Sequence, residues 1–154
     1  MARELRRKNR GMAQAEARKL LERGEYGILS TCGPDGRPYG IPLSYCVLND
    51  AVYFHCALEG HKLDNIEGND AVSFCVVGET EVLPAQFATR YESVVLSGRA
   101  VEVFGEEKQQ ALEGLVEKYS ADFWKEGQKY IEAMDARTRV FRIGAETVSG
   151  KARR

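Results

Sequence analysis

A chain of 154 residues with 44% apolar and 29% charged residues has the make-up of one globular domain with a core of its own. A net charge of −1 argues against a dedicated nucleic-acid binder, which usually carries a basic surplus, and leaves only a local patch for such a role. No apolar run is long enough to span a bilayer, and the opening MARELRRKNRGM has neither the apolar core nor the cleavage site of a secretory signal, which points to the cytoplasm.

In chain order, residues 1–12 read as a basic arm carrying Arg3, Arg6, Arg7, Lys8 and Arg10, a solvated or docking segment. Ala13–Arg23 is predicted helical, with Ala17, Leu20 and Leu21 on one face and Gly24 as its cap. Tyr26–Cys32 reads as a strand, Gly33-Pro34-Asp35-Gly36 as a turn, and Pro38–Leu48 as the second arm of a hairpin. Pro42 lacks a ladder donor, so that second strand lies at an edge or bulges. Asn49-Asp50 makes another tight turn before a third strand, Ala51–Cys56.

Lys62–Glu67 is predicted as a short helix ended by Gly68-Asn69, and Asp70–Val77 as a fourth strand. Gly78–Arg90, with Pro84 and alternating charge, reads as irregular. Tyr91–Phe104 reads as a long strand in which Gly98 marks a bulge or a close approach. Residues 105–136 form a helical insertion within the single domain 1–154: a helix over Glu106–Tyr119, then broken helix over Ser120–Ala136. Phe123, Trp124 and Tyr130 are expected in its core rather than as a stacking platform. Thr138–Ile143 is the last predicted strand, and Val148 adds a little pairing. Strands joined by short loops, without a regular βαβ rhythm, favour a mainly β fold, an antiparallel barrel with peripheral helices.

The four cysteines, Cys32, Cys46, Cys56 and Cys75, show no C-x-x-C spacing and sit in apolar, strand-like surroundings. They read as reduced, half-buried hydrophobes, and with two histidines in the chain the expectation is no metal site.

The richest chemistry lies in Val52–Ile66, where VYFHCA leads through LEGHK into LDNI. A helix start exposes backbone N–H groups and partial positive charge, Lys62 adds a full charge, and Gly60 permits close backbone approach. A strand–Gly–His–Lys–helix unit of this kind suits the phosphate of a cofactor.

Six stretches recur in this order in one group: RRKNR at Arg6–Arg10, EYGILST at Glu25–Thr31, PDGRPYGIPLSY at Pro34–Tyr45, YFHCALEGHK at Tyr53–Lys62, YESVVLSGRA at Tyr91–Ala100 and SGKAR at Ser149–Arg153. In them the chain resembles the nitroimidazole-resistance (Nim) proteins, within the pyridoxamine 5′-phosphate oxidase-like split-barrel flavoproteins. The resemblance implies a split β-barrel homodimer of Greek-key-like type with FMN in a groove at each subunit interface. It places Ile41, Pro42, Leu43 and Ser44 beside the isoalloxazine ring and Gly60, His61 and Lys62 at the phosphate. His55, Cys56 and Ala57 would line the groove between them, and Tyr91, Ser93 and Val94 of a second copy would close it. The activity implied is an FMN-dependent oxidoreductase that reduces a small electron-poor aromatic, a 5-nitroimidazole in the family's named case, past the nitro radical to an amine.

Other readings stand beside these. Lys62 also reads as a solvated helix-start lysine, His61 as an exposed turn residue, and His55 as a structural strand histidine rather than a candidate for proton transfer. Ser30 and Thr31 are ligand contacts or ordinary strand residues, and Arg99 is a partner for an interface carboxylate or an outward charge. Lys151 and Arg153 either support the phosphate region or serve as a solvated tail. Two rival functions remain open: a flavin-binding or storage module without turnover, and a split barrel holding haem or a deazaflavin, with His55 as the axial candidate. No dinucleotide fingerprint is present, so the electron donor is open.

Overall fold

The structure is a computed structural model that describes residues 3–154. Seven strands form one antiparallel sheet: β1 (Gly27–Cys32), β2 (Pro38–Leu43), β3 (Cys46–Leu48), β4 (Ala51–Cys56), β5 (Ala71–Leu83), β6 (Ala88–Val103) and β7 (Arg139–Arg153). Helix α1 (Gln14–Arg23) precedes them, α2 (His61–Gly68) joins β4 to β5, and α3 (Gly105–Ser120) and α4 (Trp124–Met134) lie between β6 and β7.

The spatial order is β2-β1-β5-β6-β7-β4-β3, so the two edge strands are also neighbours in the chain, separated only by Ser44 and Tyr45. A sheet whose opposite edges are joined by two residues has to roll up, and one core cluster touches both edges: Ile41 and Leu43 from β2 and Val47 from β3 pack on Leu29, Phe54, Phe74 and Leu96. The result is the split barrel expected from the sequence. Alternation of side chains along β4 places Val52, Phe54 and Cys56 in this inner core. Ala51 and Tyr53 point the other way, into a second cluster with Ala111, Leu112 and Leu115 of α3 and Ile131 of α4.

Several local expectations hold for the stated physical reasons. Asn49 and Asp50 both have positive φ, 50° and 63°, as a two-residue hairpin turn requires. β2, with Pro42, is an edge strand paired only to β1. Gly98 is both a bulge and a close approach: the β6–β7 register shifts between Ser97 and Gly98, and a Cβ there would lie 2.0 Å from the Gly144 carbonyl oxygen. α1 buries Ala17, Leu20 and Leu21, and the Gly24 N–H caps it on the Leu20 carbonyl at 3.1 Å.

Four expectations are corrected. Pro38–Leu48 is not one strand, because Tyr45 turns its fully buried ring into the core, donates its hydroxyl to the Leu21 carbonyl, and so breaks the line between β2 and β3. Gly78–Arg90 is not irregular: β5 runs on to Leu83 and pairs with β6 down to Ala88, with the turn at Pro84–Gln86. This ribbon is mostly exposed, so it lacks the apolar alternation that marks a strand in sequence. β7 extends to Arg153 rather than ending near Ile143, pairing with β4 first and with β6 along its whole length. Phe123, Trp124 and Tyr130 are 63%, 41% and 68% exposed, so they are surface residues and not core.

Of the N-terminal arm, residues 3–12 are described. Gly11 bridges to Lys151 and the Met12 N–H donates to the Gly150 carbonyl at 3.0 Å, which docks the arm along β7.

Candidate functional site

α2 crosses the split of the barrel. It leaves β4 near one sheet edge and packs on β1 near the other. Asn65 fixes it there: its buried amide donates to Thr31 Oγ1 of β1 at 3.0 Å, and Thr31 is itself buried and within 3.5 Å of the Tyr39 carbonyl. Thr31 is therefore a structural residue that holds α2. At the N-terminal end of α2 the His61 imidazole stacks on the Tyr39 ring of β2, centroids 4.0 Å apart. Two segments expected to serve one ligand, Gly60-His61-Lys62 and the β2 stretch from Ile41, are thus brought side by side.

The helix start itself is open. Gly60 has φ +156° and ψ 168°, a region that only glycine occupies readily, and a Cβ built on it would meet nothing within 4 Å. Its carbonyl accepts from the N–H groups of Leu63 and Asp64, both at 3.1 Å. The His61 and Lys62 N–H groups precede the first helical bond, and no side chain caps them. Arg139 steadies the preceding turn, donating to the Leu58 carbonyl at 3.2 Å while paired with Glu102 at 2.6 Å. The start of α2 could hold an anion, with exposed backbone donors and the positive end of a helix dipole, and Lys62, whose charge reaches His55 and Cys56, adds a cation beside it.

On β2, Ile41 and Leu43 are half-buried against the core and Pro42 and Ser44 are exposed. The outer edge of β2 has no strand neighbour, which leaves main-chain groups free for a flat ligand. On β4, His55 and Cys56 face opposite ways. His55 continues the outward face of Tyr53, toward α3 and α4, whereas Cys56 is buried in the inner core. Ala57 is exposed just beyond the strand. His55 is exposed at the end of β4, yet desolvation on its packed side, and secondarily the Lys62 charge, move its imidazole below the ordinary value. Burial pushes the Cys56 thiol up, against the smaller pull of Lys62 and Arg139, which makes it a poor nucleophile.

Tyr91, Ser93 and Val94 lie far along the sheet from His55 within one protomer. They lie on β6 opposite Arg153, Lys151 and Gly150, while the His55 level of the sheet passes through Val140 to Val103. Nine residue steps of strand separate Val94 from Val103, roughly 30 Å at the usual rise. Val94 is fully buried in its own core, so its side chain is not available to a ligand at the surface. Lys151 and Arg153 share that distant end of the sheet and do not approach α2. Arg99 pairs within the chain, with Asp70 at 2.5 Å and Glu146 at 3.6 Å.

Two residues that matter to the site are not singled out by the sequence reading. Tyr39 sits two positions before Ile41 on the same strand face, a spacing that was available as a signal. Tyr119 accepts the Tyr45 N–H at 3.1 Å and donates to the Glu25 carbonyl at 2.6 Å, tying α3 to the β2–β3 switch beside Ser44. Only the fold reveals that contact, which spans 74 residues. Among the described residues no group of three or more His, Cys, Asp or Glu side chains is placed to hold a metal ion. Among them, too, no helix is long and apolar enough to cross a membrane.

Comparison with known proteins adds to this geometry. A family model described as pyridoxamine 5′-phosphate oxidase matches residues 13–152. No curated protein sequence gives a significant match. Among solved structures, a proposed 5-nitroimidazole antibiotic resistance protein from Bacteroides thetaiotaomicron is similar with a TM-score of 0.79 at 19% identity, over 92% of this chain and 85% of that one. An FAD-binding protein from Mesorhizobium loti is similar with a TM-score of 0.65 at 26% identity, over 94% of this chain and 98% of that one. A haem storage protein from Vibrio cholerae gives 0.65 at 17% identity, over 88% and 92%.

Proposed function

We propose, from the premise that this chain belongs to the pyridoxamine 5′-phosphate oxidase family, that it binds FMN and uses it to reduce a small electron-poor aromatic such as a 5-nitroimidazole. The observation that carries the reading is the union of an open anion cradle with a free strand edge, joined by the Tyr39–His61 stack. A mononucleotide flavin needs both: a cationic cradle for its phosphate and a flat slot with backbone groups beside its ring.

In this reading the main-chain N–H groups of His61 and Lys62 and the Lys62 ammonium hold the phosphate. Gly60 keeps the approach clear because it carries no side chain. Ile41 to Ser44 bound the ring from the edge of β2, and His55 and Ala57 border the space between. FMN, once bound, supplies the hydride or electrons, and the protein's part is orientation, exclusion of water and electrostatics. No side chain is required as a nucleophile. Homodimerisation belongs to the same proposal: Tyr91 and Ser93, too far from His55 within a protomer, would close the groove from a second copy.

The test is an absorption spectrum of the freshly purified protein, followed by FMN titration and then NAD(P)H oxidation with a nitroaromatic present. A flavin spectrum and steady nitroaromatic-dependent turnover support the full reading. Flavin binding without turnover reduces it to a storage module. A colourless protein that does not take up FMN rules it out.

One observation favours a second reading. His55 is the one histidine on the outward face of a strand, and a similar fold carries haem storage in its name. A haem site would show a Soret band on haem titration that disappears in His55→Ala.

A further inference from the structure

Beyond the cofactor cradle, a cavity of about 250 Å³ opens between the outward face of β4 and the two inserted helices. Its walls are Leu115 and Val116 of α3, Ile131 and Met134 of α4, and the rings of Tyr119 and Tyr130. Ser44 and His55, both placed beside the flavin in the reading above, also line it. The volume is below the roughly 300–1,000 Å³ usual for drug-sized ligands, which suits one ring with short substituents.

The polar inventory of the cavity is short. The Tyr119 hydroxyl is engaged with Tyr45 and Glu25, and Thr138 Oγ1 donates to the Met134 carbonyl at 2.9 Å. That leaves the His55 imidazole and the Ser44, Ser120 and Tyr130 hydroxyls, none of which has a protein hydrogen bond among the described residues. No Asp, Glu, Lys or Arg lines the cavity. Lys118 of α3 does not line the cavity: its ammonium sits 3.7 Å above the Tyr45 ring and 5.2 Å from the Tyr119 ring. Lys62, the cation whose charge reaches His55, is committed to the cofactor phosphate in the reading on which this rests. An anionic group set against the apolar walls would give up part of its water without gaining a counter-charge from the lining, which disfavours it relative to a neutral group.

We infer that the cavity between β4, α3 and α4 is the substrate-specificity site of the flavin centre, admitting a neutral, planar, single-ring aromatic and rejecting ring ligands that carry a carboxylate or phosphate. Its apolar walls and flanking tyrosines suit a flat ring, and its four free polar groups suit the oxygens of a neutral nitro or hydroxymethyl substituent. Pyridoxamine 5′-phosphate, with its phosphate, is excluded from this cavity by the same argument. The inserted helices therefore set the substrate class, and the barrel holds the cofactor.

The experiment compares two ligands that differ in one charge, 4-nitrobenzyl alcohol and 4-nitrobenzoate, by calorimetry on the protein loaded with whatever FMN it takes up. The wild type is expected to prefer the alcohol by about tenfold or more, the scale of one mismatched pocket contact. Met134→Lys is expected to reverse the preference. Tyr130→Ala, at a surface position that folding tolerates, is expected to weaken the alcohol by about threefold or more while leaving FMN affinity within about twofold. Equal affinity for the two ligands, or an unchanged preference in Met134→Lys together with unchanged alcohol affinity in Tyr130→Ala, overturns the inference. Preference for the alcohol in a protein that does not bind FMN keeps the cavity and removes the flavin reading. Normal FMN binding without the preference removes the cavity alone.

Discussion

The Tyr39 ring lies against the His61 imidazole with centroids 4.0 Å apart and planes 29° from parallel. This contact links the edge strand β2 to the first residue of α2, and so links the place proposed for the flavin ring to the place proposed for its phosphate. Tyr39→Ala should weaken FMN binding by about twofold to tenfold, since such ring pairs are worth about 0.5–1.5 kcal/mol. Quenching of flavin fluorescence on titration measures it. Tyr39→Phe should bind as the wild type does, because the argument uses the ring and not the hydroxyl.

Lys62 is proposed to meet only the phosphate. Lys62→Gln should lower FMN affinity by about tenfold or more, the scale of a charge-assisted hydrogen bond, and leave riboflavin affinity nearly unchanged. Paired titrations with the two flavins decide the point. An equal loss for both would mean that Lys62 supports the fold of the groove and not the anion.

His55 carries a pH signature. Its pKa in the folded protein lies below the ordinary 6.5, first through burial and second through Lys62. The unfolded chain therefore binds the proton more readily, and the His55 contribution to stability is present above pH 6.5 and is lost as pH falls through and below that value. NMR titration should place the His55 midpoint below 6.5. Lys62→Gln should raise it only part of the way, because burial, the larger cause, remains. His55→Asn should show a smaller loss of stability between pH 7 and pH 5 than the wild type.

Gly98 tests the barrel independently of any ligand. A methyl group there would lie 2.0 Å from the Gly144 carbonyl oxygen, on backbone that is paired on both sides. Gly98→Ala should cost at least about 1–3 kcal/mol, as overpacking in a tight core does. Urea denaturation would show it as a lower midpoint. Gly68→Ala, where a Cβ meets nothing within 4 Å, is the matched control.

The course of the barrel is legible in the chain where local chemistry is strong. Gly33–Gly36 and Asn49-Asp50 mark turns, Pro42 marks an edge, Gly98 marks a bulge, and the helix over Gly105–Ser120 follows from its apolar spacing. It is not legible where a strand is solvated on both faces. β5 and β6 between Gly78 and Arg90 have a polar, exposed sequence, and only mutual pairing makes them strands. The cradle Gly60-His61-Lys62 is readable because glycine, cation and helix start adjoin in sequence. Its closeness to β2 is less so, since the Tyr39–His61 and Thr31–Asn65 contacts depend on the rolled sheet. The cavity on α3 and α4 escapes sequence reading altogether. Its residues sit at helical spacing like any core stripe, and Tyr130 reads as buried when it is 68% exposed.

The central claim is that the start of α2 grips the anionic end of the cofactor while β2 borders the ring. A crystal structure of the protein grown with FMN tests it most directly. The expected result is phosphate density within hydrogen-bonding distance of the His61 and Lys62 main-chain nitrogens and the Lys62 ammonium, with the ring beside Ile41–Ser44. Phosphate density at any other part of the surface, with Gly60–Lys62 empty, would contradict it.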